Sequence, residues 1–188
     1  VPFEKISDAD WRYVETIHDI VQETTSVSLS NRNDYYSFIV FALHRILDEG
    51  GRLGIITSNS WLGTTAGREF FKALGYYYKI EQIHLSNSAR WFNNANVITV
   101  ISILTKRMIV GAPLQDENTT FCSWQKSLTE LRENESDVET IVNSALLNRE
   151  LDSQVMKLKA YTNSDITSLC AMNVSLSALF HNISWLIN

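Results

Sequence analysis

An α/β fold built on a mostly parallel sheet is what this sequence predicts, and three observations carry the prediction. "RLGIITS" (52–58), "YKIEQIHLS" (78–86) and Val97–Thr105 are short apolar or alternating runs, rich in β-branched residues and bounded by turn formers, as strands are. Stretches with helical periodicity precede and separate the first two. The last two are joined by a short loop and can pair antiparallel as a final hairpin.

The elements follow in order. Ser7 with Asp10 forms a capping-box pattern and opens a helix carrying Trp11, Val14, His18 and Val21 on one stripe. The polar run Gln22–Asn33 predicts a long loop. Asp34 then caps a helix through Leu47, with Phe38, Ala42, Ile46 and, one turn round, Ile39 and Leu43 as its apolar face. Gly50-Gly51 stops it. "RLGIITS" suits a strand buried on both faces. Gly67–Leu74 is a short helix closed by Gly75, and the two hairpin strands come next.

A boundary is expected at "VGAPLQDENTT". Residues 1–107 carry 11 Lys/Arg and 11 Asp/Glu, while 108–188 carry 5 against 10, so the whole net charge of −5 belongs to the second part. There "TTFCSW" reads as a short strand and Asp137–Met156 as a helix with Val138, Ile141, Val142, Ala145 and Leu146 on one side. Asp165 or Thr167 opens a last helix containing Leu169, Cys170, Leu176, Leu179, Phe180, Ile183 and Leu186. The second part is therefore expected to be mainly helical.

Composition narrows the function classes a little. A chain of 188 residues, 45% hydrophobic and 20% charged, can bury one sizeable core or two small ones. Cys122 and Cys170 lack CxxC or CxxH partners, and His18, His44, His84 and His181 have no ligand-like spacing, so neither a zinc site nor a disulfide framework is signalled. No apolar run reaches the ~20 residues that span a bilayer, and no stretch reads as a signal peptide. A cytoplasmic protein with reduced thiols and no membrane partner is expected. The chain begins Val1-Pro2-Phe3 without an initiator Met, and a fragment of a longer protein is expected.

"ARWFNNANVITVISILTKR" (89–107) poses a question, because two large aromatics sit among loop-forming asparagines just before a core strand. Trp91 and Phe92 could plug a helix–sheet interface, or one could be presented for a ligand. Tyr76-Tyr77-Tyr78, lying between a helix and a strand, is expected to pack.

A resemblance bears on that question. "DYYSFIVFALHRILDEGGRLGIITSNSWL" (34–62) and "IEQIHLSNSARWFNNANVITVISILTKR" (80–107) resemble the C-terminal half of the catalytic domain of N6-adenine-specific DNA methyltransferases from restriction-modification systems. "VPF" is similar to the last three positions of that family's Asn-Pro-Pro-Tyr/Phe tetrad. The resemblance covers residues 1–107. It implies the C-terminal half of an S-adenosyl-L-methionine-dependent, Rossmann-like sheet ending in an antiparallel hairpin.

The resemblance also implies roles. The base must leave the stack before its amino group can be methylated. The carbonyl of Val1 would accept an amino hydrogen of the flipped adenine and Phe3 would stack on the ring, with Pro2 the tetrad position between them. The tetrad's Asn lies before residue 1. Phe92 matches the aromatic that packs on the flipped base, whereas Trp91 is expected to pack. Asp34, Tyr35 and Tyr36 match a stretch near the cofactor, although an Asp before a helix also serves as a simple cap. Ser58, Asn59 and Trp61 match a turn that shapes the site. The family's Gly-rich cofactor turn is absent, so the isolated chain is expected neither to bind S-adenosyl-L-methionine nor to be active. Expected partners are double-stranded DNA with a flipped adenine, the remainder of the parent chain and, through exposed half-sheet edges, other copies of the fragment. Residues 108–188 would begin the target-recognition region or pack on another part of the parent. The alternative is a non-catalytic DNA- or protein-interaction module with a degenerate methyltransferase fold. An RNA or protein methyltransferase shares the tetrad.

Overall fold

The computed structural model describes residues 8–29, 35–86, 91–92, 98–132 and 155–180, and singly 139 and 143. Helix α1 (Asp8–Thr25) buries Val14, Ile17, His18 and Val21, the stripe its periodicity dictates. It runs past Gln22, where a loop was expected, because Thr25 lends its hydroxyl to the Val21 carbonyl (2.7 Å) and Ser26 closes the end at φ 58°. The capping residue Ser7 lies outside the described residues. Helix α2 (Tyr35–His44) stops short of Leu47, since Arg45 and Ile46 bond the carbonyls of Ala42 and Leu43 (both 3.1 Å) and tighten the last turn. Its buried residues are Val40 and Phe41, while Ile46 is 77% exposed. The expected face was wrong by a rotation, because a helix apolar all round offers periodicity no side to choose.

Strand β1 (Arg52–Ser58) follows a turn in which Gly50 takes φ 68°, a conformation that favours glycine. A 3-10 turn, Asn59–Gly63, leads into α3 (Thr65–Tyr77). That helix runs through Gly75 instead of ending there, and Thr64 caps it by accepting from the Gly67 N–H at 3.0 Å. Strand β2 (Tyr78–Leu85) continues directly, and β3 (Thr99–Lys106) completes the hairpin. Tyr77 and Tyr78 are buried, and the Tyr78 hydroxyl donates to the Val40 carbonyl at 2.7 Å. Burial raises that phenol's pKa.

The five-stranded sheet has the order β1-β3-β2-β4-β5, with β4 (Asn118–Trp124) and β5 (Met156–Thr162) on its far side. The expected hairpin is present, β2 lying antiparallel to β3. A mostly parallel sheet is not. Strand β3 inserts between β1 and β2, antiparallel to both, so these two share a direction without touching. The parallel pair is β2–β4, and β4–β5 is antiparallel.

The expected boundary after residue 107 thus falls within one sheet. Arg107 spans it, donating to the Gly75 carbonyl at 2.8 Å and to both Glu117 carboxylate oxygens. Among the described residues the second part supplies two strands as well as helices α4 (Leu128–Arg132) and α5 (Asn163–Ala171). Of the helix expected over 137–156, Glu139 and Asn143 are helical, most of the rest lies outside the described residues, and Met156 opens β5 instead. Helix α5 opens earlier than expected through a Thr162–Asp165 capping box. It breaks where Asn173 takes φ 59°, so Leu176–Phe180 form a separate 3-10 turn. Ile183 and Leu186 lie outside the described residues.

The main core lies on one sheet face, under α1, α2, α3, α5 and the Leu176–Phe180 turn. There Phe121 stacks on Phe71 (6.4 Å) and meets Phe180 edge-on (5.1 Å). The opposite face holds a smaller cluster of Cys122, Trp124, Leu131 and Met156. Strand β1, expected to be buried on both faces, is covered on the Leu53/Ile55 side only, and Ile56 is 58% exposed.

Candidate functional site

Strands β1, β2 and β4 share a direction, so their carboxyl ends, Ser58, Leu85 and Trp124, lie along one edge of the sheet. In open α/β sheets that edge is where ligands bind. The loop from β2 to β3 leaves from it, and its two feet are fastened. The Ser86 N–H donates to the Thr99 carbonyl (3.1 Å), the Thr99 N–H to the Ser86 hydroxyl (3.1 Å), and the Asn59 N–H to the Ile98 carbonyl (3.0 Å).

The two aromatics of this loop part company. Phe92 is 47% exposed. Trp91 is half-buried, meeting Trp124 edge-on at 5.9 Å and 70°. Among the described residues its buried indole Nε1 has no hydrogen-bond partner, so ring contact holds it.

Beneath Trp91 lies a network that the sequence did not disclose. Trp124 stacks on His84 (6.0 Å, 29°) and donates from Nε1 to His84 Nδ1 at 3.1 Å. An indole nitrogen only donates, so Nδ1 is the acceptor and His84 carries its proton on Nε2. That proton goes to Gln82 Oε1, 2.9 Å away. Burial pushes the imidazole down to about 4, which keeps it neutral, and pushes the neighbouring Cys122 thiol up to about 12. No spacing rule connects His84 with Trp124; their meeting depends on the β2–β4 register, in which His84 pairs with Cys122.

The turn after β1 is packed. Trp61 is buried, bonds Thr57 Oγ1 through Nε1 (3.1 Å) and meets Phe70 edge-on at 5.4 Å. Gly67 backs against it so closely that a Cβ there would stand 1.6 Å from the Trp61 carbonyl oxygen. Trp61 and Leu62 fill this strand-to-helix turn, and among the described residues no Gly-rich turn cradles a nucleotide-like cofactor. This turn does not fit S-adenosyl-L-methionine.

Val1, Pro2, Phe3 and Asp34 lie outside the described residues. Tyr35 begins α2, and only its backbone is described. Of the residues expected to touch base or cofactor, Phe92 is thus the one whose side chain can be located. A cleft of about 570 Å³ lies elsewhere, between α3 and α5, with Arg68, Lys72, Ser164 and Thr167 on its walls. Among the described residues no His/Cys/Asp/Glu group could hold a metal ion, and no helix is long and apolar enough to cross a membrane.

No protein-family model and no curated protein matches this sequence. Solved structures do. The type IIG restriction endonuclease BpuSI superposes with a TM-score of 0.62 at 14% identity, over 92% of this chain and 19% of that one. The type I restriction-modification system methyltransferase subunit from Streptococcus thermophilus gives 0.61 at 15% identity, over 89% of this chain and 34% of that one. The chain thus spans a fifth to a third of these two proteins, and it has a restriction-modification methyltransferase-like, mixed α/β fold.

Proposed function

We propose that this chain is the base-side part of a DNA methyltransferase acting on the N6 amino group of a flipped-out adenine, within a bacterial, cytoplasmic restriction-modification system. One observation carries the reading. In a fold of this kind, a half-exposed Phe92 stands beside an anchored Trp91 in a loop leaving the carboxyl edge of the sheet. A ring meant to stack on an extruded base has to be presented in this way. Base–aromatic stacking contributes about 1–3 kcal/mol, which offsets part of the cost of unstacking.

On this reading the remaining roles are divided. The Val1 carbonyl accepts an adenine amino hydrogen and Phe3, two positions on in the tetrad, stacks on the ring. Asp34 and Tyr35 lie toward the cofactor. Methyl donation belongs to S-adenosyl-L-methionine held by other parts of the protein, since the described residues offer it no cradle. The partners are double-stranded DNA and the remainder of the parent chain. Residues 108–188 begin the target-recognition region and, through β4 and β5, extend the catalytic sheet.

The test is product identity. The complete gene product is incubated with unmethylated plasmid DNA and S-adenosylmethionine labelled in its methyl group, and the DNA is digested to nucleosides. Label in N6-methyldeoxyadenosine is expected. Label in cytosine would refute the adenine assignment. Absence of label from an otherwise folded, DNA-binding protein would favour a non-catalytic interaction module.

A further inference from the structure

We propose that Trp124 and His84 are positioning residues for the Phe92 loop, acting through Trp91; the proposal rests on the base-stacking role given to Phe92 above. The loop is fastened at its feet, at Ser86 and at Ile98–Thr99. Next to Phe92 it has a further anchor, the Trp91 ring against Trp124 at 5.9 Å. Among the described residues the buried Trp91 Nε1 has no hydrogen-bond partner, so packing on the Trp124 cluster positions that indole.

Trp124 cannot turn freely in response. Its Nε1 is committed to His84 Nδ1 (3.1 Å), the two rings lying 29° apart with centroids separated by 6.0 Å, and the imidazole is committed to Gln82 Oε1 (2.9 Å). Cys122, Leu131 and Met156 close the cluster. Gln82 and His84 sit on β2, paired with Thr120 and Cys122 of the parallel neighbour β4, and Trp124 ends β4 two residues beyond Cys122. The sheet thus reaches the loop through three stacked or edge-on rings, and Phe92 is the residue after the last of them. A stacking ring works only if its plane is set before the base arrives. The chain of contacts supplies that setting.

The experiment is a double-mutant cycle in the complete gene product, measuring kcat and KM for methylation of unmethylated plasmid DNA together with Tm. Trp91→Leu and Trp124→Leu each remove the ring contact, and Phe92→Ala removes the stacking ring. Trp91 lies at the rim of the cluster, so its variant reports even if Trp124→Leu fails to fold. If the relay acts through Phe92, Trp91→Leu lowers kcat about five-fold or more with little change in KM. Combining it with Phe92→Ala lowers kcat no further than Phe92→Ala alone. Trp91→Phe, which keeps an edge-on ring, restores most of the rate. Multiplicative losses in the double variant would overturn the proposal, as would a Trp91→Leu enzyme as fast as wild type, while leaving the base-stacking reading intact. A Phe92→Ala enzyme that methylates normally would remove both.

Discussion

Arg107 and Glu117 clamp the two ends of the segment where the charge balance changes, the guanidinium fork lying on both carboxylate oxygens. Both side chains are mostly shielded, at 16% exposure each, and the Arg107 Nε also holds the Gly75 carbonyl at the end of α3 (2.8 Å). Removing Arg107 leaves the shielded Glu117 carboxylate with a long contact to Asn163 Nδ2 (3.4 Å) and takes a donor from the Gly75 carbonyl. Arg107→Ala should therefore cost about 2–3 kcal/mol in denaturant unfolding, and Arg107→Lys, lacking the fork, should recover only part. A loss below about 0.5 kcal/mol, as at an exposed pair, would mean that the two halves of the chain are not clamped there.

Gly67 and Gly63 make a matched pair. A Cβ at Gly67 would meet the Trp61 backbone, whereas one at Gly63 would meet nothing within 4 Å. Gly67→Ala should lose roughly 3–5 kcal/mol or fail to fold, since the neighbour is backbone and cannot step aside. Gly63→Ala should change stability by less than about 1 kcal/mol. Similar effects in thermal melts of the two variants would contradict the tight seat of α3 against the Asn59–Gly63 turn.

His84 makes stability depend on pH in a defined direction. Burial holds its folded pKa at about 4 against 6.5 for the free side chain, so between these values the unfolded chain binds the extra proton. The contribution is complete above pH 6.5, is lost as pH falls toward 4, and changes no further below that. The loss amounts to about 3 kcal/mol. Burial also pushes His18 and His44 down, so the contribution of His84 is the difference between wild type and His84→Gln, measured from pH 8 to pH 4. Gln keeps a donor and an acceptor but does not titrate. Identical pH profiles would show that His84 is not held neutral.

Strand β1 bonds β3 along one edge, and among the described residues nothing pairs with the other, while Ile56 lies exposed on its face. Open, apolar strand edges invite pairing with other chains. The isolated 188-residue chain should self-associate in sedimentation velocity, and Ile56→Lys should shift it toward monomer. It should give no heat with S-adenosylmethionine in calorimetry. A monodisperse monomer, or a micromolar dissociation constant for the cofactor, would refute the picture of an incomplete sheet.

What the sequence disclosed follows from how local each signal is. The β2–β3 hairpin was legible because alternation and a short loop dictate pairing between neighbours in the chain. The position of β3 between β1 and β2 was not, since inserting a strand into a crossover leaves no mark on any of the three. Strand β5 carries its own alternation in "MKLKAYT", but the helical pattern ahead of it runs on through Met156 and masks the start. Helix α2 is apolar on every side, so its existence was readable and its buried face was not. In the loop, the asparagines around Trp91 and Phe92 signalled an exposed turn. Which ring would be anchored depended on Trp124, which a parallel pairing with β2 brings into place.

The central claim concerns Phe92, and its most direct test is the methylation rate of Phe92→Ala beside its melting temperature, in the complete gene product. A half-exposed ring contributes little to the core, so Tm should hold within a few degrees. The rate should fall by a factor corresponding to about 1–3 kcal/mol of lost stacking, roughly five- to 150-fold, while Phe92→Tyr and Phe92→Trp keep much of it. A sharply lowered Tm with normal methylation by the enzyme that still folds would make Phe92 a packing residue and contradict the account.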